Sequence, residues 1–295
     1  MRHAIGVDVG GSFVKIVAVE PEGRVVHRAR MPTDTSLPSA LPGGIARSLA
    51  EIRAAFGPPD AIGLASPGLV RRGDGHVHWM QGRLDVVQGL DWTEALRSDS
   101  PVRVLNDAQA ALLGEVWLGA GRGCADVVLL TIGTGVGGAV LADGRLLAGH
   151  TGRAGHLGHM TVDAAGAPDI VGTPGSLEDA IGDCTVARRT DGRFPTTEAL
   201  VAAHVAGDQD ATRVWHTSVR CLAAGVASVV NAVDPARVIL GGGIATRAGD
   251  ILMTPLRRWL DAFEWRPHGA AVDVVLAELG EEAGAIGAAR HALER

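Results

Sequence analysis

Two carboxylates stand where short apolar runs end. Asp8 interrupts the β-branched run at residues 5–9, and Asp107 follows the run at 102–105 and Asn106. A carboxylate beside a phosphate-sized turn suits a hydrated metal ion. A carboxylate at a strand end can take a proton from a hydroxyl. Each residue also has a plainer reading, which spacing alone favours. Asp8 can cap its own turn, and Asp107 can N-cap the helix expected after it.

Glycine turns accompany these acids. Gly10, Gly11 and Ser12 separate residues 5–9 from a second apolar run at 13–19 that carries Lys15. Such a turn lets backbone N–H groups approach an anion without hindrance from Cβ. The pattern returns twice. Residues 127–132, which include Thr131, run into Gly133, Thr134, Gly135, Val136, Gly137 and Gly138, and residues 238–240 run into Gly241, Gly242 and Gly243. Ligands gather at the carboxyl ends of strands in open α/β sheets. Two turns for phosphates and one for adenosine would suit a nucleotide. With 41 glycines in 295 residues, glycine-rich turns are also expected without any ligand.

The elements that must position these residues read as follows. Strands are expected at 5–9, 13–19, 24–30, 61–65, 102–105, 127–132, 139–141, 238–240 and 272–276. Helical spacing appears at 45–56, 92–97, 108–118, 177–189, 196–204, 211–233, 251–263 and 281–293. Residues 71–92, with His76, His78 and Trp79, lack a clear period and read as a polar loop. The strand–glycine turn–strand unit at the start is echoed in the second half, which suggests a duplicated α/β architecture with a cleft between two domains.

Composition sets bounds. Apolar residues make up 46% and aromatics only 3%, so the core must be built from aliphatic side chains. The net charge of −6 is mixed in sign and argues against nucleic acid or an anionic membrane as partner. Cys124, Cys184 and Cys221 are scattered, with no metal-ligand spacing and no disulfide framework, which suits a reducing compartment. No signal peptide or membrane span is expected, which implies a cytoplasmic protein.

The order of the motifs resembles the ROK family of bacterial sugar kinases. The matching residues are the run from Asp8 to Lys15, the triplet Ser66, Pro67 and Gly68, the pair Asn106 and Asp107, the run from Thr131 to Ala139, the run from Leu240 to Ile244, and the closing run from Leu279 to Ala289. The resemblance implies the actin-like fold shared by sugar kinases, heat-shock chaperones and actin. Its two α/β domains would lie around a nucleotide and sugar cleft: a small one, residues 1–107 completed by 281–295, and a large one, residues 108–280. It further implies ATP and Mg²⁺. Asp8, Gly10, Gly11, Ser12, Lys15, Thr131, Gly133, Thr134, Gly135 and Gly241–Gly243 would hold the nucleotide, with Asp8 near the metal through water. Ser66, Gly68, Asn106, Asp107, His156, His159 and Glu178 would hold a hexose or hexose derivative. Asp107 would be the general base on the sugar hydroxyl, most often the 6-hydroxyl in the family. A homodimer is implied as well.

Two departures from the family pattern stand out. The family's Glu-x-Gly-His run is here His156, Leu157, Gly158 and His159, so a histidine replaces the acceptor-only glutamate. A substrate with an acidic or carbonyl group near its anomeric end would answer that change; so would an ordinary hexose held by its other contacts. The family's zinc cysteines are absent from residues 163–178, where Ser176 replaces the last of them, and no structural zinc is expected. The phosphate motif begins at residue 5, which leaves no room before it for the helix-turn-helix of the family's repressors. A sugar-responsive binding protein without catalysis is the alternative function, against which Asp107 argues.

Overall fold

The computed structural model describes residues 2–71, 73, 75–82 and 84–294. The chain divides into two compact units. One comprises Met1–Gly123, Leu146–Ala154 and Glu278–Arg295, the other Cys124–Arg145 and Gly155–Ala277. The boundary read from the sequence, after Asp107, falls one helix earlier than this division.

The first unit opens with β1 (Ala4–Val9), β2 (Phe13–Val19) and β3 (Val25–Pro32), then α1 (Ala40–Phe56) and β4 (Ala61–Ser66). A hairpin of β5 (Leu69–Val70) and β6 (Val77–Trp79) follows, with α2 (Trp92–Ala95), β7 (Arg103–Asn106) and α3 (Asp107–Leu118). The five-stranded sheet has the order β3-β2-β1-β4-β7. Pairing is antiparallel from β3 to β1 and parallel from β1 through β4 to β7. Ile5, Val7 and Ile16 of the sheet pack with Leu41, Ile45 and Leu49 of α1.

The second unit repeats that plan. It contains β8 (Val127–Ile132), β9 (Val136–Ala142), β10 (Arg145–Leu146), α4 (Leu177–Ile181), α5 (Val186–Arg189), α6 (Thr197–Val205), α7 (Gln209–Val233), β11 (Arg237–Gly241), α8 (Gly242–Ala248), α9 (Asp250–Phe263) and β12 (Asp273–Leu276). Its sheet runs β10-β9-β8-β11-β12, again an antiparallel hairpin followed by parallel neighbours. Asp208 caps α7 by accepting from the Ala211 N–H at 2.9 Å. Trp215, Val219, Leu222 and Val226 form its buried stripe, at the spacing one helix face requires. α7 packs on α9, and the Trp215 indole N–H reaches the Ile251 carbonyl at 3.2 Å.

The chain ends with α10 (Ala283–Leu293), which belongs to the first unit and packs on β1, β4 and α3. Small residues permit this close approach. A Cβ added to Gly6, Gly63 or Gly287 would lie within 2 Å of the backbone oxygens of Ala285, Ala288 and Ala110 respectively. Side chains there would push α10 off the sheet.

The structure also differs from the sequence reading within single elements: the stretch 71–92, read as a polar loop, carries β6, which pairs with β5. α1 begins at Ala40 and takes in Pro42, Gly43 and Gly44, because proline costs no hydrogen bond in a first turn. The helix expected over 177–189 breaks at Gly182, and the N–H groups of Asp183 and Cys184 turn to the carbonyls of Gly133 and Thr134. The third glycine turn continues directly into α8. Among the described residues no helix is long and apolar enough to cross a membrane.

Candidate active site

In the first unit, the tip between β1 and β2 is a closed turn. The Gly10 N–H donates to the Phe13 carbonyl at 3.1 Å, and the Thr33 hydroxyl donates to the Gly10 carbonyl at 2.6 Å. Gly11 and Ser12 are exposed at that tip. Thr33 carried no sequence signal, since its partner lies on a separate strand. Asp8 sits one pleat below the turn, with its side chain 14% exposed. Burial, opposed by the Lys15 ammonium and reinforced by the Asp107 charge, raises its carboxyl to about 7. Lys15 lies 3.9 Å from Asp8 and 3.9 Å from Glu281. The first turn of α10 closes over Asp8: a Cβ on Gly284 would be 2.9 Å from the carboxyl carbon.

At the end of β7, Asn106 and Asp107 divide the duties of a helix start. Asn106 is the N-cap of α3; its Oδ1 accepts from the Ala108 and Gln109 N–H groups at 3.0 and 3.4 Å. Its amide N–H donates to the Gly68 carbonyl at 3.1 Å. Asp107 is therefore the first residue of the helix and not its cap. Its carboxylate accepts from the Ala108 N–H at 2.8 Å and is open to solvent. The dense protein around it raises its carboxyl, while the bonds from Ala108 and Asn106 work the other way. The group reaches water, which screens much of that rise. Ser66 is fully buried and donates to the Pro67 carbonyl; Gly68 adopts φ +99°, where a Cβ would strike the Trp79 carbonyl at 2.6 Å.

In the second unit, the turn from Gly133 to Val136 is held from behind. The carbonyls of Gly133 and Thr134 accept from Asp183 and Cys184 at 2.9 and 2.8 Å. Half-buried Glu178 accepts the Val136 N–H at 2.9 Å, and a Cβ on Gly135 would lie 2.2 Å from that carboxylate. Glu178, expected at a sugar, thus braces the turn from Gly133 to Val136. Thr131 is half-buried near the end of β8. Beside the turn opens a cavity of ≈ 690 Å³, lined by Gly133, Thr134, Glu198, Ile244 and Arg247 among others. That volume is ample for a small organic ligand. Gly242 holds α8 at this cavity: it has φ +84°, and a Cβ would meet the Ile132 backbone at 2.4 Å. Gly241 ends β11, and Gly243 opens α8 beside the Arg247 guanidinium.

Also in the second unit, residues 155–160 lie on β9, where Gly158 leaves no room for a side chain against the Val136 carbonyl. His156 has a buried Nε2 with no hydrogen-bond partner among the described atoms. Burial, aided by the neighbouring His159, lowers its pKa and keeps the ring neutral. His159 Nδ1 is 3.0 Å from Asp169 Oδ2. The sequence did not single out Asp169; it lies in a loop without periodicity, and only the fold brings it to His159. Among the described residues no group of three or more His, Cys, Asp or Glu could hold a metal ion.

Comparison with known proteins fits this geometry. The ROK family pattern matches residues 4–295. A glucokinase of Halalkalibacterium halodurans is 31% identical over 316 residues, covering 97% of this chain and 93% of that protein. The crystal structure of a ROK hexokinase from Thermus thermophilus superposes with a TM-score of 0.85 at 32% identity, covering 98% and 97% of the two chains. A ROK family glucokinase from Streptomyces griseus, solved with glucose and AMPPNP, gives a TM-score of 0.77 at 29% identity, covering 98% and 99%. The chain belongs to the ROK family, and its two α/β units carry the actin-like fold of that family's sugar kinases.

Proposed function

We propose that this ATP-dependent sugar kinase transfers the γ-phosphoryl group of ATP to the 6-hydroxyl of a neutral hexose, with Asp107 as general base. The observation that carries the assignment is the capping of α3 by Asn106. It leaves the Asp107 carboxylate with the Ala108 N–H to accept at the helix start and otherwise open to a ligand. As the hydroxyl oxygen bonds to the γ-phosphorus, its proton passes to Asp107. The bond to the β–γ bridging oxygen breaks, and ADP leaves with that electron pair.

The second unit supplies the donor side. Its ≈ 690 Å³ cavity takes the adenosine, and the backbone N–H groups of Thr134 and Gly135 steady the γ-phosphoryl as charge develops, while the Gly133 N–H is engaged by the Gly135 carbonyl at 2.9 Å. In the first unit the Gly11 and Ser12 N–H groups offer phosphate oxygens the same service, while the Gly10 N–H is taken by the Phe13 carbonyl. Mg²⁺ fits Asp8: a hard oxygen donor carries unfavourable charge from burial and from Asp107, which a divalent cation would offset. Held by Asp8, Mg²⁺ would supply neutralisation of the phosphate charge. Lys15 balances part of the Asp8 charge. A homodimer belongs to the same proposal and is read by light scattering as twice the monomer mass.

His156 bears on the sugar. A neutral imidazole with an unpartnered nitrogen can accept a hydroxyl proton, which is the service the family's glutamate performs. It offers no fixed positive charge to a sugar acid. In an ADP-release assay over a hexose panel, neutral hexoses are expected to exceed the corresponding aldonic acids, which keep the 6-hydroxyl and carry the carboxylate at C1, in kcat/KM by at least about tenfold. A preference for the acid would overturn the neutral-hexose assignment.

A further inference from the structure

His159 closes a short turn at Leu157–His159 in the second unit, and its side chain is 35% exposed. Among the described residues its ring has one hydrogen-bond partner. Nδ1 faces Asp169 Oδ2 at 3.0 Å, and the Asp169 side chain is fully buried. The other carboxylate oxygen accepts the Val171 and Thr173 N–H groups at 3.0 and 2.8 Å. The loop folds around this group: the Asp169 N–H donates to Thr173, Gly172 donates to Asp169, and Gly175 donates to Ala167.

A buried carboxylate is costly unless its lone pairs are used. Burial would raise the Asp169 carboxyl, but the bonds from His159, Thr173, Val171 and Ser176 together hold it below the usual carboxylate range. Asp169 is therefore an anion, and an anion only accepts hydrogen bonds. Nδ1 of His159 must carry the proton, which leaves Nε2 of a neutral ring as an acceptor. The loop's two N–H groups occupy Oδ1, so the carboxylate cannot turn without losing them.

We propose that Asp169 is a positioning residue that fixes the ring plane and tautomer of His159, so that Nε2 accepts a hydroxyl proton of the substrate. This rests on the sugar-kinase reading for the identity of the hydroxyl, but not for the tautomer. Asp169→Asn is the informative change. Its carbonyl oxygen can keep the bonds from Val171 and Thr173 only if its NH₂ faces His159. Nδ1 must then become an acceptor, and Nε2 becomes a donor.

The test has two parts. In ligand-free wild-type protein labelled with ¹⁵N-histidine, the His159 resonances are expected to show a protonated Nδ1. In Asp169→Asn the neutral ring is expected to switch to the Nε2–H tautomer. In steady-state assays the same variant is expected to raise the KM for the sugar about 10- to 100-fold, with kcat and the KM for ATP within about threefold of wild type. An Nε2–H tautomer in the wild type overturns the proposal, even if the variant fails to fold. So does a folded Asp169→Asn variant with an unchanged sugar KM. If no sugar is turned over, the function fails, while the NMR result still decides the Asp169–His159 relation.

Discussion

Asp107→Asn is expected to lower kcat about 10²- to 10⁴-fold while changing the sugar Kd by no more than about threefold. Asparagine keeps the size and polarity of the side chain but cannot take a proton at neutral pH. The helix start survives, because Asn106 supplies the cap and its bonds to Ala108, Gln109 and Gly68 do not involve residue 107. The two effects are read separately, turnover by ADP release and binding by calorimetry. Near-normal turnover would remove Asp107 as the base. A parallel loss of sugar binding would recast it as a binding residue alone.

Asp8→Asn is expected to abolish most activity and yet stabilise the ligand-free protein above neutral pH. Burial raises the Asp8 carboxyl from 3.8 to about 7 in the folded chain. Between those values the folded state binds more protons than the unfolded state, so stability falls as pH rises through that window. Above about pH 7 the full cost of the buried charge is present, on the order of a few kcal/mol. Asparagine removes the charge and with it the cost. Thermal unfolding across pH should show Asp8→Asn melting several degrees above wild type near pH 8, with the two curves converging near pH 4, at about 2–4 °C per kcal/mol for a chain of this class. An equal or lower melting temperature at pH 8 would show that Lys15 already compensates the charge. A group kept at a cost in the free protein is what a cation-binding role would require, because the cation offsets the charge on binding.

The chain announces its skeleton through local chemistry. Apolar runs ending in glycine turns at Gly10 and Gly133 mark two hairpins, and both sheets are built outward from such a hairpin in the same strand order. The stripe of Trp215, Val219, Leu222 and Val226 marks α7 for the same reason. What remained hidden depended on partners distant in sequence. Spacing offered Asp107 as the cap of α3, yet capping geometry gave the task to Asn106 and released its neighbour. The stretch 177–189 has helical composition, but the carbonyls of Gly133 and Thr134 draw off the N–H groups of Asp183 and Cys184, and the helix breaks. Pro42, Gly43 and Gly44 look like loop, yet Gly44 is buried in α1, where a Cβ would overlap the Met31 side chain.

The candidate site residues divide along the same line. The glycines and both aspartates could be proposed from the chain because anion cradles and proton acceptors restrict residue type. Glu178 was expected at a sugar only from the family resemblance, and its bond to the Val136 N–H ties it to the turn from Gly133 to Val136. Asp169, Thr33 and Gly284 act through what they touch. Asp169 holds a histidine ring, Thr33 ties a turn, and Gly284 makes room for the Asp8 carboxylate. None of these contacts follows from spacing along the chain.

Phosphorus NMR of the products formed from ATP, Mg²⁺ and glucose shows whether the phosphoryl group reaches the 6-hydroxyl. Stoichiometric ADP and a single new phosphomonoester are expected, coupled to the two protons on C6 of the sugar. The Asp107→Asn protein, at equal concentration and under the same conditions, should form that product at least about 10²-fold more slowly. Phosphate appearing only as inorganic phosphate, or on another hydroxyl, or at the same rate in the variant, would contradict the proposed function.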